Sequence, residues 1–114
     1  MAPNRAASGL RRPTDPPLLI LVSLAGGPKH GHALAKDIEN FAGVALGPGA
    51  LYGAITRLEA RGLIEPLESA DRRRPYRMTA AGSAALATAL ADLRRVADAG
   101  SARLARLRPS GSPA

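Results

Sequence analysis

Apolar residues along the chain fall into blocks that differ in period, and each period predicts an element. Leu18 to Ala25 is apolar on nearly every side, which predicts a short helix at the centre of a core. Asp15 is suited to cap it, with Pro16 and Pro17 at the first positions, where a missing N–H costs least; Gly26, Gly27 and Pro28 end it. From about Gly31 to Phe41 the apolar residues Leu34, Ile38 and Phe41 recur at i, i+4 and i+7, with Lys36, Asp37, Glu39 and Asn40 elsewhere. That period predicts a second, amphipathic helix with all three residues turned inward. The same spacing returns in Leu51, Ile55 and Leu58, between Pro48 at a first turn and Gly62 just past an end. Two strand-like runs, "LIEPLES" and "RPYRMT", then flank "ADRR" and read as a hairpin with Ile64, Tyr76 and Met78 inward. Pro66 confines the first strand to an edge. Thr79 is placed to cap a long last helix from Ala80 to about Leu107.

Three helices, a hairpin and a further helix in that order make a mainly α fold with a small β hairpin, a winged helix-turn-helix followed by a long helix. In that last helix Leu86, Leu90, Leu93, Ala97, Gly100, Leu104 and Leu107 are spaced 4, 3, 4, 3, 4, 3, an unbroken heptad seam that asks for a partner helix. A homodimer through this helix is the expectation; the alternatives are that its inner residues also cover the domain core and that Gly100 breaks the helix. The divisions that follow are a disordered basic tail at 1–13, a winged-helix DNA-binding domain at 14–79, a dimerisation helix at 80–107 and a disordered tail at 108–114.

The chemistry lies on the third helix. On a wheel of 100° per residue, Leu51, Ala54, Ile55 and Leu58 take one side and Gly49, Gly53, Thr56, Arg57 and Ala60 the other, with Tyr52 and Arg61 on opposite flanks. A strip of small residues with a few longer polar ones suits a helix that lies deep in a DNA major groove, where Thr56 meets a thymine methyl or phosphate and Arg57 a guanine edge or phosphate. The competing use of Gly49 and Gly53 is close packing against another helix. The wing adds Arg72, Arg73, Arg74 and Arg77 within six residues, where a hairpin tip meets phosphates; Glu65, Glu68 and Asp71 stand close enough to compensate them.

Charge points the same way. The 114 residues carry 16 Lys+Arg against 9 Asp+Glu, a net charge of +7 and a pI near 11.3, a balance that favours a polyanionic partner. Double-stranded DNA comes first and a membrane surface is not expected. The absence of cysteine removes disulfides, thiolate metal sites and thiol nucleophiles. His30 and His32, two residues apart, do not share a helix face and have no carboxylate pair beside them, so they read as loop or helix-start residues and no metal is expected. No phosphate loop, Ser-His-Asp spacing or carboxylate cluster supports an enzyme, and no cofactor is called for. The arginine pair ahead of the apolar run Leu18 to Val22 has the order of a secretion signal, but the run is short and removing it would strip the domain of its most apolar helix, so a cytoplasmic location is expected. The runner-up to DNA binding is a winged-helix module for protein–protein contacts, in which the small-residue strip packs on a partner helix.

The combination of "GGPKHG", "PGALYGAITRLEARGLI" and "RPYRMTAAG" resembles the PadR family of bacterial winged-helix transcriptional regulators, over about Leu18 to Ala85. The resemblance implies a homodimer that binds a pseudo-palindromic operator, usually as a repressor, with release governed by a small-molecule effector of unspecified identity or another signal. It places the recognition helix at Pro48 to Arg61, DNA-facing residues at Tyr52, Thr56 and Arg57, and wing arginines at Arg72 to Arg74 and Arg77. The heptad helix corresponds to the family's dimer helix in a short, single-helix version. Two positions depart from the family: His32 stands where tyrosine is usual, and Gly47 where serine or threonine often caps the recognition helix. With aromatics at 3% and no tryptophan, an aromatic-stacking effector pocket is not expected, and Leu, Val and Ala would line any effector site.

Overall fold

The computed structural model describes residues 9–69 and 73–107. In chain order they form α1 (Pro16–Ala25), α2 (Gly31–Ala42), α3 (Pro48–Ala60), β1 (Ile64–Pro66), β2 (Tyr76–Met78) and α4 (Ala80–Arg106). The element order is that of a winged helix with a long C-terminal helix. Helix α1 is the hub: Leu18, Leu19, Ile20, Leu21 and Leu24 are all buried, and the helix packs on α2, α3, α4 and β2. Leu34 and Ile38 of α2, Leu51, Ile55 and Leu58 of α3, Ile64 of β1 and Leu86 of α4 close the core around it.

Helix ends are set locally. The Nδ1 atom of His30 accepts from the Ala33 amide at 3.4 Å to cap α2, and Thr79 Oγ1 accepts from the Gly82 amide at 3.1 Å to cap α4. At the end of α3, Gly62 takes a φ of +73°. The Gly62 amide donates to the Glu59 carbonyl and the Leu63 amide to the Leu58 carbonyl, the pair of bonds that a left-handed glycine permits after a helix. Asp15 departs from its expected role. It stands at the cap position of α1 without a side-chain cap bond, and its carboxylate accepts instead from the amides of Arg11 and Arg12. That turn folds residues of the expected basic tail onto the domain, where Leu10 is only 2% exposed. Leu10 therefore belongs to the core and not to the expected tail; residues 1–8 and the expected C-terminal tail at 108–114 lie outside the described residues.

The wing is more tightly tied down than a bare hairpin. β1 and β2 are antiparallel with Ile64 opposite Met78, Glu65 opposite Arg77 and Pro66 opposite Tyr76. On its other side β2 bridges Lys29: the Lys29 amide donates to the Tyr76 carbonyl and the Tyr76 amide to the Lys29 carbonyl. β2 thus runs between β1 and the α1–α2 connection, and Pro66 sits on the outer edge as its missing N–H requires. The side chain of Lys29 donates from Nζ to the Ser23 carbonyl at 2.6 Å, and buried Ser23 donates from Oγ to Asp37 Oδ2 at 2.6 Å. These bonds fix α1, the start of α2 and the wing as one frame.

Two expectations about inward faces need correction. Phe41 is 46% exposed, because α2 runs past the edge of the core before Gly43 ends it. The heptad seam of α4 divides in two. Leu86 is buried in the domain's own core with Ala89, and Leu93 packs against that core, so Leu86 has no face left for a partner. Leu90 is partly open, while Leu104 and Leu107 are each 70% exposed and Ala97 and Gly100 are exposed as well.

Candidate nucleic-acid interface

Helix α3 buries Leu51, Ala54, Ile55 and Leu58 and turns the opposite strip outward. A Cβ added at Gly49 would meet nothing within 4 Å, and one added at Gly53 would meet only the Arg57 guanidinium, 3.5 Å away. No other element of the described chain packs on this strip. The Thr56 hydroxyl donates to the Tyr52 carbonyl at 2.9 Å; bonded back to its own helix, it leaves the methyl as its outward group. Arg57 is exposed, and the bare backbone at Gly53 gives its side chain room to lie along the helix.

Tyr52 flanks the strip on the side of α2. Its ring leans on the first residue of that helix, so that a Cβ at Gly31 would fall 2.5 Å from the phenol oxygen. Tyr52 remains half exposed. His30, His32, Tyr52, Arg73, Arg74 and Tyr76 wall a cleft of 620 Å³ between the start of α2, α3 and the wing. The two histidine rings stack with centroids 6.5 Å apart. Gly31, His30 and His32 escaped the sequence reading as site residues, although "GGPKHG" marked the segment; the signal for Gly31 was a glycine where a helix has no need of one.

The other expected DNA contacts are distributed unevenly. Arg73 and Arg74 are exposed beside the cleft, and Arg72 lies outside the described residues. Arg77 is already paired: its Nε donates to Glu65 Oε1 at 2.8 Å directly across the hairpin, and a second nitrogen reaches the same oxygen. Both partners are about half exposed, and a pair of that kind is worth about 1 kcal/mol or less, so a phosphate can compete with Glu65 for Arg77. Arg61 sits at the far end of α3. With Leu10, Arg11 and Leu63 it forms one wall of a 730 Å³ groove whose other wall is α4, through Ala85, Ala89, Leu93 and Val96. Arg61 follows Arg57 by one helical turn, and it lines this groove rather than the cleft. Among the described residues no cluster of histidine and carboxylate side chains could hold a metal ion, and no helix is long and apolar enough to cross a membrane.

The Transcriptional regulator PadR-like family model matches residues 20–88. A protein of Streptomyces fradiae, described as an uncharacterized 37.1 kDa protein in transposon TN4556, is 51% identical over 71 residues, which cover 62% of this chain. The chain spans only 21% of that relative's length. Among solved structures, a PadR family transcription regulator from Clostridium difficile superposes with a TM-score of 0.70 at 23% identity, over 78% of this chain and 97% of that one. A PadR family transcriptional regulator from Eggerthella lenta gives 0.64 at 26% identity, over 75% and 80%. RosR of H. salinarum gives 0.64 at 25% identity, over 85% and 98%.

Proposed function

The chain belongs to the PadR-like family of transcriptional regulators, which are not enzymes, and from that premise we propose that it is a homodimeric repressor reading a pseudo-palindromic operator. Each protomer lays α3 in a major groove, with half-sites roughly 34 Å apart. Gly49, Gly53 and Thr56 let the backbone approach the bases, Arg57 takes a base edge, and Tyr52, Arg73 and Arg74 hold phosphates. The observation that carries this reading is the open strip of α3, on which nothing in the described chain packs at Gly49 and only Arg57 approaches Gly53. Gly53 in the helix interior costs about 1 kcal/mol relative to alanine, with no compensating contact among the described residues.

The roles of the two kinds of arginine separate in binding assays. Arg57→Ala is expected to lower affinity for an operator selected from a random pool by roughly 10- to 100-fold and to relax base preference. Arg73→Ala weakens operator and random duplex alike and reduces the salt slope by about 0.9 per protomer. The two phosphate-holding arginines of each protomer, Arg73 and Arg74, give a dimer slope of about −3.6. Identical losses on operator and random duplex for both variants would remove the division of labour, and a slope near zero would remove phosphate binding altogether.

The dimer is supported by the distal part of α4, where Ala97, Gly100, Leu104 and Leu107 continue the heptad spacing with no core beneath them. Leu104→Glu with Leu107→Glu is expected to give a monomer in sedimentation while the far-ultraviolet spectrum of the winged helix persists. Retention of the dimer in that variant would place the subunit contact elsewhere.

A further inference from the structure

The cleft between the start of α2 and the wing sets beside Tyr52, Arg73 and Arg74 two histidines that the proposed function leaves unused. It gathers two imidazoles, two phenols and two guanidinium groups around 620 Å³, with no carboxylate among its walls. From these groups we infer that the cleft holds a backbone phosphate of the DNA duplex and that protonation of His32 controls the contact. The inference rests on the DNA-binding reading proposed above and adds to it a site and a proton.

The two histidines have different freedom. His30 spends its Nδ1 lone pair on the Ala33 amide, the bond that caps α2. His32 is exposed on the first turn of α2. Its ring stacks on that of His30. Around it stand His30 ahead of α2, Tyr52 from α3, Arg73 and Arg74 from the wing connection and Tyr76 from β2. Imidazole is the side chain whose charge ordinarily changes between about pH 5 and pH 8. An imidazolium at His32 adds a third cation to Arg73 and Arg74 at the amino end of α2, whose free amides are also positive. Those like charges oppose one another until an anion enters. A phosphodiester lying across the cleft compensates them together and accepts hydrogen bonds from His32 and from either phenol. Duplex binding and proton uptake are therefore coupled, and affinity rises as pH falls.

The test is fluorescence anisotropy of a random-sequence duplex at fixed ionic strength between about pH 8 and pH 6. Wild-type affinity should rise roughly 5-fold over that interval, and His32→Gln should show no rise while melting at the wild-type temperature. His32→Lys, with a fixed charge, should bind at the upper pH as the wild type does at the lower. A wild type that binds with no pH dependence, or a His32→Gln variant that keeps the rise, overturns the proposal and leaves the DNA-binding reading standing. Failure of the wild type to bind duplex at any pH overturns both. Inorganic phosphate at matched ionic strength should leave the rise in place; its abolition would assign the cleft to free phosphate and overturn the duplex contact.

Discussion

Gly82→Ala is expected to lower the melting temperature by roughly 10 °C or more, for the smallest side-chain change available. Gly82 lies in the first turn of α4, and a Cβ there would sit well inside contact distance of the Leu63 carbonyl oxygen, 3.0 Å from its carbon and 2.9 Å from Cγ of Met78. Backbone is the obstacle, so no rotamer change relieves it. The helix must instead move off the segment after α3, and that crossing is held by bonds that cannot stretch: the Thr79 amide to the Leu63 carbonyl at 3.0 Å and Thr79 Oγ1 to the Gly62 carbonyl at 2.7 Å. Overpacking of this kind costs about 1 to 3 kcal/mol and sometimes more. Alanine returns about 1 kcal/mol of helix propensity. A net loss near 2 kcal/mol corresponds to roughly 8 to 16 °C for a domain of this size. Calorimetry reads it directly, and an unchanged transition would show that α4 does not cross the chain this closely.

Gly53→Leu should have the opposite signature, a large functional loss with an intact fold. Leucine is a better helix former than glycine by roughly 0.8 kcal/mol, and its Cβ meets only the movable end of Arg57, so the melting temperature should hold or rise. On DNA the branched side chain would stand between the α3 backbone and the groove floor and displace Arg57 from the helix surface. Loss of a base-edge contact worth about 1 to 3 kcal/mol together with the set-back of its neighbours gives roughly a 100-fold fall in operator affinity. The pair of measurements is decisive: a variant that unfolds, or that binds its operator normally, would mean that the strip packs on protein and that the groove reading of α3 is wrong.

What the sequence displays well is periodicity. The all-round apolar run at Leu18 to Ala25, the i, i+4, i+7 residues of α3 and the capping threonine at Thr79 each follow from local chemistry, and the elements stand where those signals put them. Periodicity identifies a face but not what lies under it. Phe41 keeps the correct period and still emerges into solvent, because where the core stops is decided by α1 and α3. Leu86 and Leu104 belong to one heptad spacing, yet one is buried by the chain's own core and the other is bare, a difference set by tertiary packing. Cross-strand register is similarly silent in the sequence: Glu65 was legible as a nearby charge, while its position directly opposite Arg77 depends on a hairpin whose length the sequence leaves open. Leu10 was hidden by the prolines and charges around it, and the tightness at Gly82 depends on a neighbour 19 positions away in the chain. Gly49 and Gly53 were the most informative residues of the candidate site, since their cost to a helix demanded a reason that local structure does not supply.

The distal part of α4 ties folding to abundance. Beyond Leu93, every residue from 94 to 107 is exposed, and a segment of that length with Gly100 inside it is a marginal helix in water when nothing packs on it. In the proposed homodimer, ordered turns there would gain their stability from association, and the free energy of assembly would also set the helix content of this segment. A cell holding few copies would contain protomers whose winged helix is formed but whose last turns fray, and pairing would order those turns as the concentration rises through the dissociation constant of the dimer. In such a dimer the helix that would set the distance between two half-sites would also respond to how much regulator the cell contains.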